Sequence, residues 1–218
     1  MSIAIRDRRD PVAEHAPLPG LMVKREEDVV LMSSLQERAC EEIERRFAAG
    51  HRAYVARIAD VPAAFGWVAT RSAEIGEMAM VFDIPAGDRY LWNFVTLPSH
   101  RGKGIYPRLL DAIVRMESDE ADRFWIAYAP ENHASASGIL KAGFVAIAEL
   151  LFDAERKPAL KALLPGGGAV ASRMFGVPES GGDLQQCWRC ARAGRPGMKC
   201  EAGHCECDYQ QPRSGCAA

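Results

Sequence analysis

The sequence predicts an α+β fold in which a central mixed β-sheet is flanked by helices. Four strand-like runs rich in β-branched and aromatic residues follow one another between residues 52 and 97. Such a succession is typical of antiparallel strands joined in a meander. From residue 105 the pattern changes to helix, strand, helix and strand. This alternation behind a meander indicates an α+β or mixed α/β sheet.

Composition limits the class of protein. The chain has 218 residues, 48% hydrophobic and 26% charged, which suffices for one main domain with an appendage. A net charge of −2 gives no electrostatic support for binding nucleic acid or an anionic membrane surface. No segment approaches the roughly 20 apolar residues that span a bilayer, and no apolar signal-peptide segment follows the start MSIAIRDRRD. We therefore expect a cytoplasmic protein.

The chain divides into three segments. Residues 1–20 combine prolines with charges and lack apolar periodicity, so we expect an N-terminal arm. Residues 21–176 form the predicted main domain, and residues 177–218 form a cysteine-rich tail. The runs LPGGG and SGG separate the last strand from the tail.

Each element of the main domain has its own signal. Apolar residues at four-residue intervals, followed by Gly50, predict one amphipathic helix over residues 34–50. The predicted meander consists of RAYVARIA, FGWVATR, EMAMVFDI and RYLWNFVTL. The later predicted elements are the helix IYPRLLDAIVRMES, the strand RFWIAYA, the helix HASASGILKAG and the strand FVAIAELLF.

The loop Arg101-Gly102-Lys103-Gly104 lies between a strand and a helix. Its two glycines leave backbone N–H groups unobstructed, and the positive end of the helix dipole lies directly behind them. Arg101 and Lys103 add positive charge, so the loop suits a phosphate or pyrophosphate. A solvent-facing glycine turn would explain the same four residues. The loop contains neither a GK[ST] sequence nor a GxGxxG sequence.

Two motifs together resemble one family. Arg101 to Ile105 after WNFVTLP resembles the pyrophosphate loop R/QxxGxG/A of the GNAT superfamily of acetyl-CoA-dependent N-acyltransferases. ENHASASGILKAGF, residues 131–144, resembles that family's second motif, in which an Asn precedes a helix closed by KxGF. The resemblance covers residues 21–176 as an order of elements and implies a GNAT-like sheet.

The resemblance also implies a site for acetyl-CoA or another acyl-CoA. Backbone amides of residues 102–106 would hold the pyrophosphate, and Asn132 would bind the pantetheine arm or the nearby backbone. The strand ending at Thr96 would separate from the next strand, and the thioester would lie in that wedge. An amine would then attack the thioester carbonyl directly. The implied contact residues are Phe94, Val95, Thr96, Arg101, Gly102, Lys103, Gly104, Ile105, Tyr106, Asn132 and Ser135.

Three departures from the family pattern affect the expected catalysis. Tyr106 replaces the last Gly or Ala of the loop, and Ile139 stands where many members have a Tyr that protonates the thiolate. The strand carboxylate that serves as a base in the family has no counterpart. Tyr90 and Tyr128 are the candidate catalytic residues, although aromatic residues in strands are more often core residues. Further candidates for acid–base work are His100, His133, Glu77 and Asp83.

The tail carries a cysteine pattern typical of a metal site. It reads CWRCARAGRPGMKCEAGHCEC, and a CxxC pair with further thiolates can complete a tetrahedral zinc site. The stretch has too few apolar residues to fold by burial alone. An iron–sulfur cluster, disulfides or disordered thiols are alternatives. The candidate zinc ligands are Cys187, Cys190, Cys200, Cys205, Cys207 and His204.

These observations predict an N-acyltransferase that moves an acetyl or short acyl group from acyl-CoA to an amine. The acceptor is either a small molecule or the amine of a protein or peptide, and the sequence leaves open whether the chain forms a homodimer. The alternative is a non-catalytic acyl-CoA-binding or metal-responsive interaction protein, which the missing acid and base would suit. Neither nucleic acid nor membrane is expected as a partner.

Overall fold

The computed structural model describes residues 1–153, 155–182 and 184. Its strands are β1 (Ser2–Asp7), β2 (Leu21–Glu26), β3 (Arg52–Ile58), β4 (Val61–Ala69), β5 (Ser72–Ile75), β6 (Met80–Asp83), β7 (Asp88–Thr96), β8 (Arg123–Tyr128), β9 (Val145–Phe152) and β10 (Pro158–Ala162). Its helices are α1 (Val29–Gln36), α2 (Cys40–Ala48), α3 (Ile105–Glu117), α4 (His133–Lys141) and α5 (Gly167–Phe175).

Eight strands form one mixed sheet in the order β10-β9-β1-β8-β7-β4-β3-β2. Strands β7 and β8 pair in parallel, and the other neighbours in this sheet pair antiparallel. The predicted mixed sheet with flanking helices is therefore confirmed. The predicted strand EMAMVFDI does not join this sheet, because it contributes β6 to a separate two-stranded sheet with β5.

The prediction of an N-terminal arm is wrong for β1. This strand lies in the interior of the sheet, antiparallel to β8 on one side and to β9 on the other. Ile3 and Ala4 are fully buried. Arg6 is also buried and pairs with Asp111 of α3 at 2.9 Å, which lets a charged residue lie in an interior strand. The charges that suggested an arm thus belong partly to the core.

The predicted helix over residues 34–50 is two helices. Glu37 has a left-handed backbone conformation, with φ of 52°, and ends α1. Ala39 is extended, and α2 begins at Cys40. The predicted end is confirmed, because the Gly50 amide donates to the Phe47 carbonyl at 2.9 Å just after α2.

The sequence analysis did not predict β2, β10 or α5. The run LPGGG was interpreted as a separator, but α5 begins at its last two glycines and is only nine residues long. Its later residues Ala171, Met174 and Phe175 are buried against the sheet. A short helix that opens with glycines has a weak sequence signal, since glycine disfavours helix.

The sheet carries apolar layers on both faces. Neighbouring residues of β7 alternate between them, since Tyr90 packs on the side of α5 and Leu91 on the side of α3. On β3, Tyr54 faces α3 while Val55 faces the cluster formed with α1 and α2. Helices α3 and α4 therefore cover one face, and the other helices with the β5–β6 pair cover the opposite face. None of the helices in the described ranges combines the length and apolar character needed to cross a membrane.

Candidate active site

Strands β7 and β8 separate halfway along their length. Their parallel ladder runs from the pair Asp88–Arg123 to the pair Leu91–Ile126 and ends there. Beyond that point β7 continues to Thr96 beside β4, whereas β8 continues beside β1. Among the residues that the structure describes, no strand pairs with the edge of β7 that faces β8 in this part of the sheet, so the two strands separate as the resemblance implied.

A β-bulge lies where the two strands part. Asn93 and Phe94 of β7 stand opposite the single residue Gly66 of β4. Asn93 has a φ of 51°, a conformation that Asn tolerates better than most residues. A side chain on Gly66 would collide with the Phe94 ring, since an added Cβ would lie 2.0 Å from it. The bulge bends β7 and turns its end toward α3.

The loop before α3 presents its backbone to the space beside β7. Gly102 and Gly104 have φ of 76° and 68°, a region that favours glycine. Helix α3 begins after Gly104 without a side-chain cap, which leaves its first N–H groups available to an anion. Arg101 donates from Nε to the Thr96 carbonyl at 3.2 Å, and Arg108 donates to the Gly104 carbonyl at 2.6 Å. Two side chains thus hold the loop against the strand and the helix.

A cleft of about 600 Å³ extends from this loop along the start of α4. All of the predicted contact residues except Lys103 line this cleft. His100, Ser137 and Lys141 line it as well, so the cleft is basic near the loop and the end of α4. Its predicted lining residues are Phe94, Val95, Thr96, Arg101, Gly102, Gly104, Ile105, Tyr106, Asn132 and Ser135.

Asn132 has a structural role in the start of α4. It is the N-cap of the helix, and its side-chain oxygen accepts a hydrogen bond from the Ser135 amide at 3.0 Å. The Asn132 side chain therefore orients the first turn of α4 and also lines the cleft.

Tyr106 fills the gap between α3 and α4. Its hydroxyl lies 3.4 Å from the Ser135 hydroxyl, and its ring lies against Gly138 and Phe94. Burial raises the pKa of Tyr106 to about 12, and the hydrogen bond with Ser135 opposes this shift only in part. The side chain is therefore a neutral phenol throughout the physiological pH range.

A second cavity, of about 520 Å³, lies beside the same part of β7. Val95 lines both this cavity and the cleft, so the end of β7 separates the two spaces. Carboxylates of Glu37, Glu74 and Glu77 contribute to its wall. Its remaining lining residues are Met1, Leu35, Gln36, Arg38, Arg46, Phe65, Ile75, Gly76, Tyr90, Trp92, Asn93 and Ala127.

The two candidate catalytic tyrosines have different surroundings. Tyr90 lines the second cavity and is otherwise buried, with its ring edge-on to Phe82 and Phe175. Burial, aided by the negative charge of Glu77, raises the pKa of Tyr90, so it stays protonated at neutral pH. Tyr128 packs against the core beneath α3 and lines neither space.

The other acid–base candidates are scattered. His100 lines the cleft and its Nδ1 lies 3.0 Å from the Ser99 hydroxyl. Glu77 lines the second cavity. His133 and Asp83 line neither space. The structure therefore brings one acidic candidate and Tyr90 to the second cavity.

Sequence reasoning missed the polar cluster beside the bulge. Gln36 accepts hydrogen bonds from Arg46, Trp67 and Asn93, and Arg46 stacks over Trp92 with 4.8 Å to the ring centroid. These residues come from α1, α2, β4 and β7. They are far apart in the chain, and a glutamine at a helix end carries no signal of such a role.

The predicted zinc ligands lie outside the described residues, so the zinc site stays a prediction. Within the described part of the chain, the His, Cys, Asp and Glu side chains form no group of three or more that could hold a metal ion.

One protein-family model matches the part of the chain that contains these features. The model of the acetyltransferase (GNAT) family matches residues 31–144. That range covers more than half of the chain and includes both motifs, the bulged strand and the uncapped helix. The chain belongs to the GNAT acetyltransferase family. The resemblance inferred from the two motifs is thereby confirmed.

Solved structures of GNAT proteins resemble this chain at low sequence identity. AAC(6')-Iy, solved with the bisubstrate analogue CoA-S-monomethyl-acetylneamine, has 14% identity and a TM-score of 0.49, over 61% of this chain and 96% of that chain. The yncA protein from Salmonella typhimurium, solved with its cofactor acetyl-CoA, has 14% identity and a TM-score of 0.44. That match covers 61% of this chain and 83% of the yncA chain.

A GCN5-related N-acetyltransferase from Kribbella flavida has 17% identity and a TM-score of 0.37. That match covers 57% of this chain and 46% of the Kribbella chain. The present chain therefore spans less than half of the length of the Kribbella protein. No curated protein sequence matches the chain significantly.

Proposed function

We propose that this GNAT protein is an N-acyltransferase that moves an acetyl or short acyl group from acyl-CoA to an amine within a ternary complex. The observation that carries the proposal is the arrangement around β7. A cleft with an anion-binding loop lies on one side of the strand end, a cavity with carboxylates lies on the other, and Val95 lines both. Two substrates bound in these spaces would meet at the open edge of β7.

The loop before α3 would hold the pyrophosphate of acyl-CoA. Its two glycines in the left-handed region and the uncapped first turn of α3 offer several N–H donors to one anion. Arg101 adds positive charge beside the same loop. Charge-assisted hydrogen bonds from a fixed backbone need little reorganisation when the ligand binds.

The pantetheine arm and the thioester would follow β7 into the wedge. The edge of β7 from Trp92 to Thr96 has no partner in β8, so its backbone groups can pair with the amides of pantetheine. A backbone N–H in this stretch can also donate to the carbonyl oxygen that becomes negative during attack. The open edge therefore serves for both binding and charge stabilisation.

The acceptor amine would bind in the second cavity. The carboxylates of Glu37, Glu74 and Glu77 outnumber the guanidinium groups of Arg38 and Arg46 in its lining, which favours an amine that arrives as a cation. After loss of a proton to a cavity carboxylate or water, the amine nitrogen bonds to the thioester carbonyl carbon. The attacking nitrogen gives up a second proton to water or a cavity carboxylate, the carbon–sulfur bond breaks, and CoA leaves as a thiolate that takes a proton from solvent.

Tyr90 fits a donor role in this scheme and does not fit the role of a base. Its raised pKa keeps the hydroxyl protonated at neutral pH, so it can donate a hydrogen bond into the acceptor cavity. Tyr128 lies away from both spaces and is a core residue in this proposal.

A turnover assay tests the proposed function against the non-catalytic alternative. The full chain is incubated with acetyl-CoA and a panel of primary amines, and free CoA thiol and acetylated amine are measured together. An enzyme releases both in equal amounts and only when the amine is present. An acyl-CoA-binding protein without activity would bind acetyl-CoA but would release neither free CoA nor acetylated amine with any amine tested.

A further inference from the structure

Gln36, the last residue of α1, connects three elements through one carboxamide oxygen. Its Oε1 accepts hydrogen bonds from the guanidinium of Arg46 at 2.8 Å, from Nε1 of Trp67 at 3.0 Å and from Nδ2 of Asn93 at 3.0 Å. Its own Nε2 donates to the Met32 carbonyl at 2.9 Å. Both polar atoms of the side chain are therefore engaged, and the amide orientation is fixed by its partners.

The surroundings of Gln36 hold this arrangement in place. The Arg46 guanidinium pairs with Glu42 at 2.6 Å and stacks over the rings of Trp67 and Trp92, 5.3 and 4.8 Å from their centroids. Trp67 is fully buried. A guanidinium that lies over two neighbouring indole rings and pairs with a carboxylate has little freedom to move, so the donors that face Gln36 keep their positions.

Asn93 is the residue at which β7 changes direction. Its left-handed conformation is uncommon for residues other than glycine and is better tolerated by Asn than by most, and a hydrogen bond from its side chain helps to hold it. The hydrogen bond to Gln36 involves the side chain of this bulge residue directly. The bulge lies just beyond Leu91, where the ladder with β8 ends, and it precedes Val95, which lines both spaces.

We propose that Gln36 is a positioning residue for acyl transfer, which acts through Asn93 to hold the bulge and thus the direction of the β7 backbone between the two substrates. This inference rests on the proposed function. Gln36 lies at the wall of the acceptor cavity and outside the lining of the acyl-CoA cleft, so its effect on the thioester is transmitted by β7. Small displacements of a reacting group lower the rate far more than they lower binding.

Two substitutions at position 36 separate positioning from packing. Gln36→Met keeps the length of the side chain and loses the acceptor oxygen. We expect kcat to fall by about tenfold to a hundredfold, with KM for acetyl-CoA unchanged. Gln36→Glu still accepts from all three donors and pairs with Arg46, so it should retain most of the wild-type kcat. A role in stability alone would lower the amount of folded protein and leave kcat per folded molecule unchanged for both variants.

Asn93→Gly provides the matching change on β7, because glycine keeps the positive φ and removes the side-chain donor. If Gln36 acts through Asn93, the double variant Gln36→Met/Asn93→Gly loses no more kcat than Gln36→Met alone. Glu44→Gln is the control on α2, since Glu44 is exposed and lines neither the cleft nor the second cavity. It should leave both stability and kcat nearly unchanged.

Amide hydrogen exchange tests the same inference without turnover. In Gln36→Met, peptides that cover residues 92–96 should exchange faster than in the wild type, whereas peptides of α3 should not change. A folded Gln36→Met protein with wild-type exchange in β7 would overturn the inference whether or not an acceptor amine is known. So would wild-type kcat in that variant, once the wild-type protein has shown transfer.

Discussion

At the scale of single residues, the pair Tyr106 and Gly138 shows how this chain departs from its family and compensates. The family's pyrophosphate loop ends in Gly or Ala, and this chain has Tyr106 there. The ring is accommodated because Gly138 of α4 has no side chain, and an added Cβ would lie 2.3 Å from a ring carbon. The glycine on α4 thus provides the space for the Tyr106 ring on α3.

Substitution of Gly138 by Ala should therefore destabilise the protein. Alanine alone favours helix over glycine by about 1 kcal/mol. The overlap with the buried Tyr106 ring should outweigh this gain, because overpacking costs about 1–3 kcal/mol. Displacement of the ring should also weaken acetyl-CoA binding, since Tyr106 lines the cleft. Chemical denaturation and acetyl-CoA titration of the Gly138→Ala variant measure the two effects.

The control for this prediction is the same substitution made in a Tyr106→Ala background. With the ring removed, only the helix preference remains, so Gly138→Ala should now raise the free energy of unfolding. Equal effects of Gly138→Ala in both backgrounds would show that the ring and the glycine are not coupled.

At the scale of elements, α3 is fixed at its C-terminal end by a buried carboxylate. Glu117 accepts hydrogen bonds from Arg52 at 2.7 Å and from Arg89 at 2.8 Å, and also from the Tyr54 hydroxyl. These partners belong to β3 and β7, so one side chain joins the helix to two strands. The Glu117 cluster thus fixes the C-terminal end of α3 against β3 and β7, while the loop with Gly102 and Gly104 lies at the opposite end of the helix.

Glu117→Gln should cost about 1.5–3 kcal/mol of stability at neutral pH, because it weakens the buried charge-assisted hydrogen bonds from Arg52 and Arg89, which keep Glu120 as a partner. Burial alone would raise the pKa of Glu117, but the hydrogen bonds from Tyr54, Arg89 and Arg52 outweigh it and hold the pKa below its ordinary value of 4.5. A lowered pKa contributes stability that is complete above pH 4.5 and is lost as the pH falls through the folded-state value. The difference between variant and wild type should therefore shrink below pH 4.5, as measured by denaturation over a pH series.

Glu120→Gln is the matched control for this prediction. Glu120 pairs with the same two arginines, at 2.6 and 3.2 Å, but its side chain is 58% exposed. An exposed ion pair contributes about 1 kcal/mol or less, so Glu120→Gln should change stability little. Equal losses from both substitutions would contradict the special role assigned to the buried carboxylate.

At the scale of the whole molecule, the second half of the domain could be predicted well from sequence. Helices α3 and α4 and strands β8 and β9 have strong periodic patterns, and each lies where the pattern placed it. The loop at Gly102 and Gly104 could also be predicted, since closely spaced glycines between a strand and a helix are typical of a tight turn. These features are local, so a single sequence contains the signal for them.

The features that were missed depend on contacts between distant parts of the chain. Strand β1 was hidden because the buried Arg6 finds its partners far along the chain, in the Asp111 carboxylate and the Ala142 carbonyl, 105 and 136 residues away. The polar cluster around Gln36 joins residues of four elements, and the acceptor cavity is formed by α1, the β5–β6 region and β7. Only the folded sheet brings these groups together, so no periodicity or motif in the sequence indicates them.

Binding of acyl-CoA in the cleft beside the loop underlies the whole proposed reaction, and titration calorimetry with acetyl-CoA measures it. Gly102→Glu is the informative variant, and Gly176→Glu is its control. Both glycines have a positive φ, 76° and 65°, and an added Cβ meets nothing within 4 Å at either position, but only Gly102 lines the cleft. The two substitutions thus carry the same backbone strain and the same new charge.

We predict that the wild-type protein and Gly176→Glu bind acetyl-CoA with equal affinity, and that Gly102→Glu, while folded, shows no binding because its carboxylate repels the pyrophosphate. A folded wild-type protein that does not bind acetyl-CoA would contradict the proposed acyl-CoA site, as would a Gly102→Glu variant that binds it as tightly as the wild type.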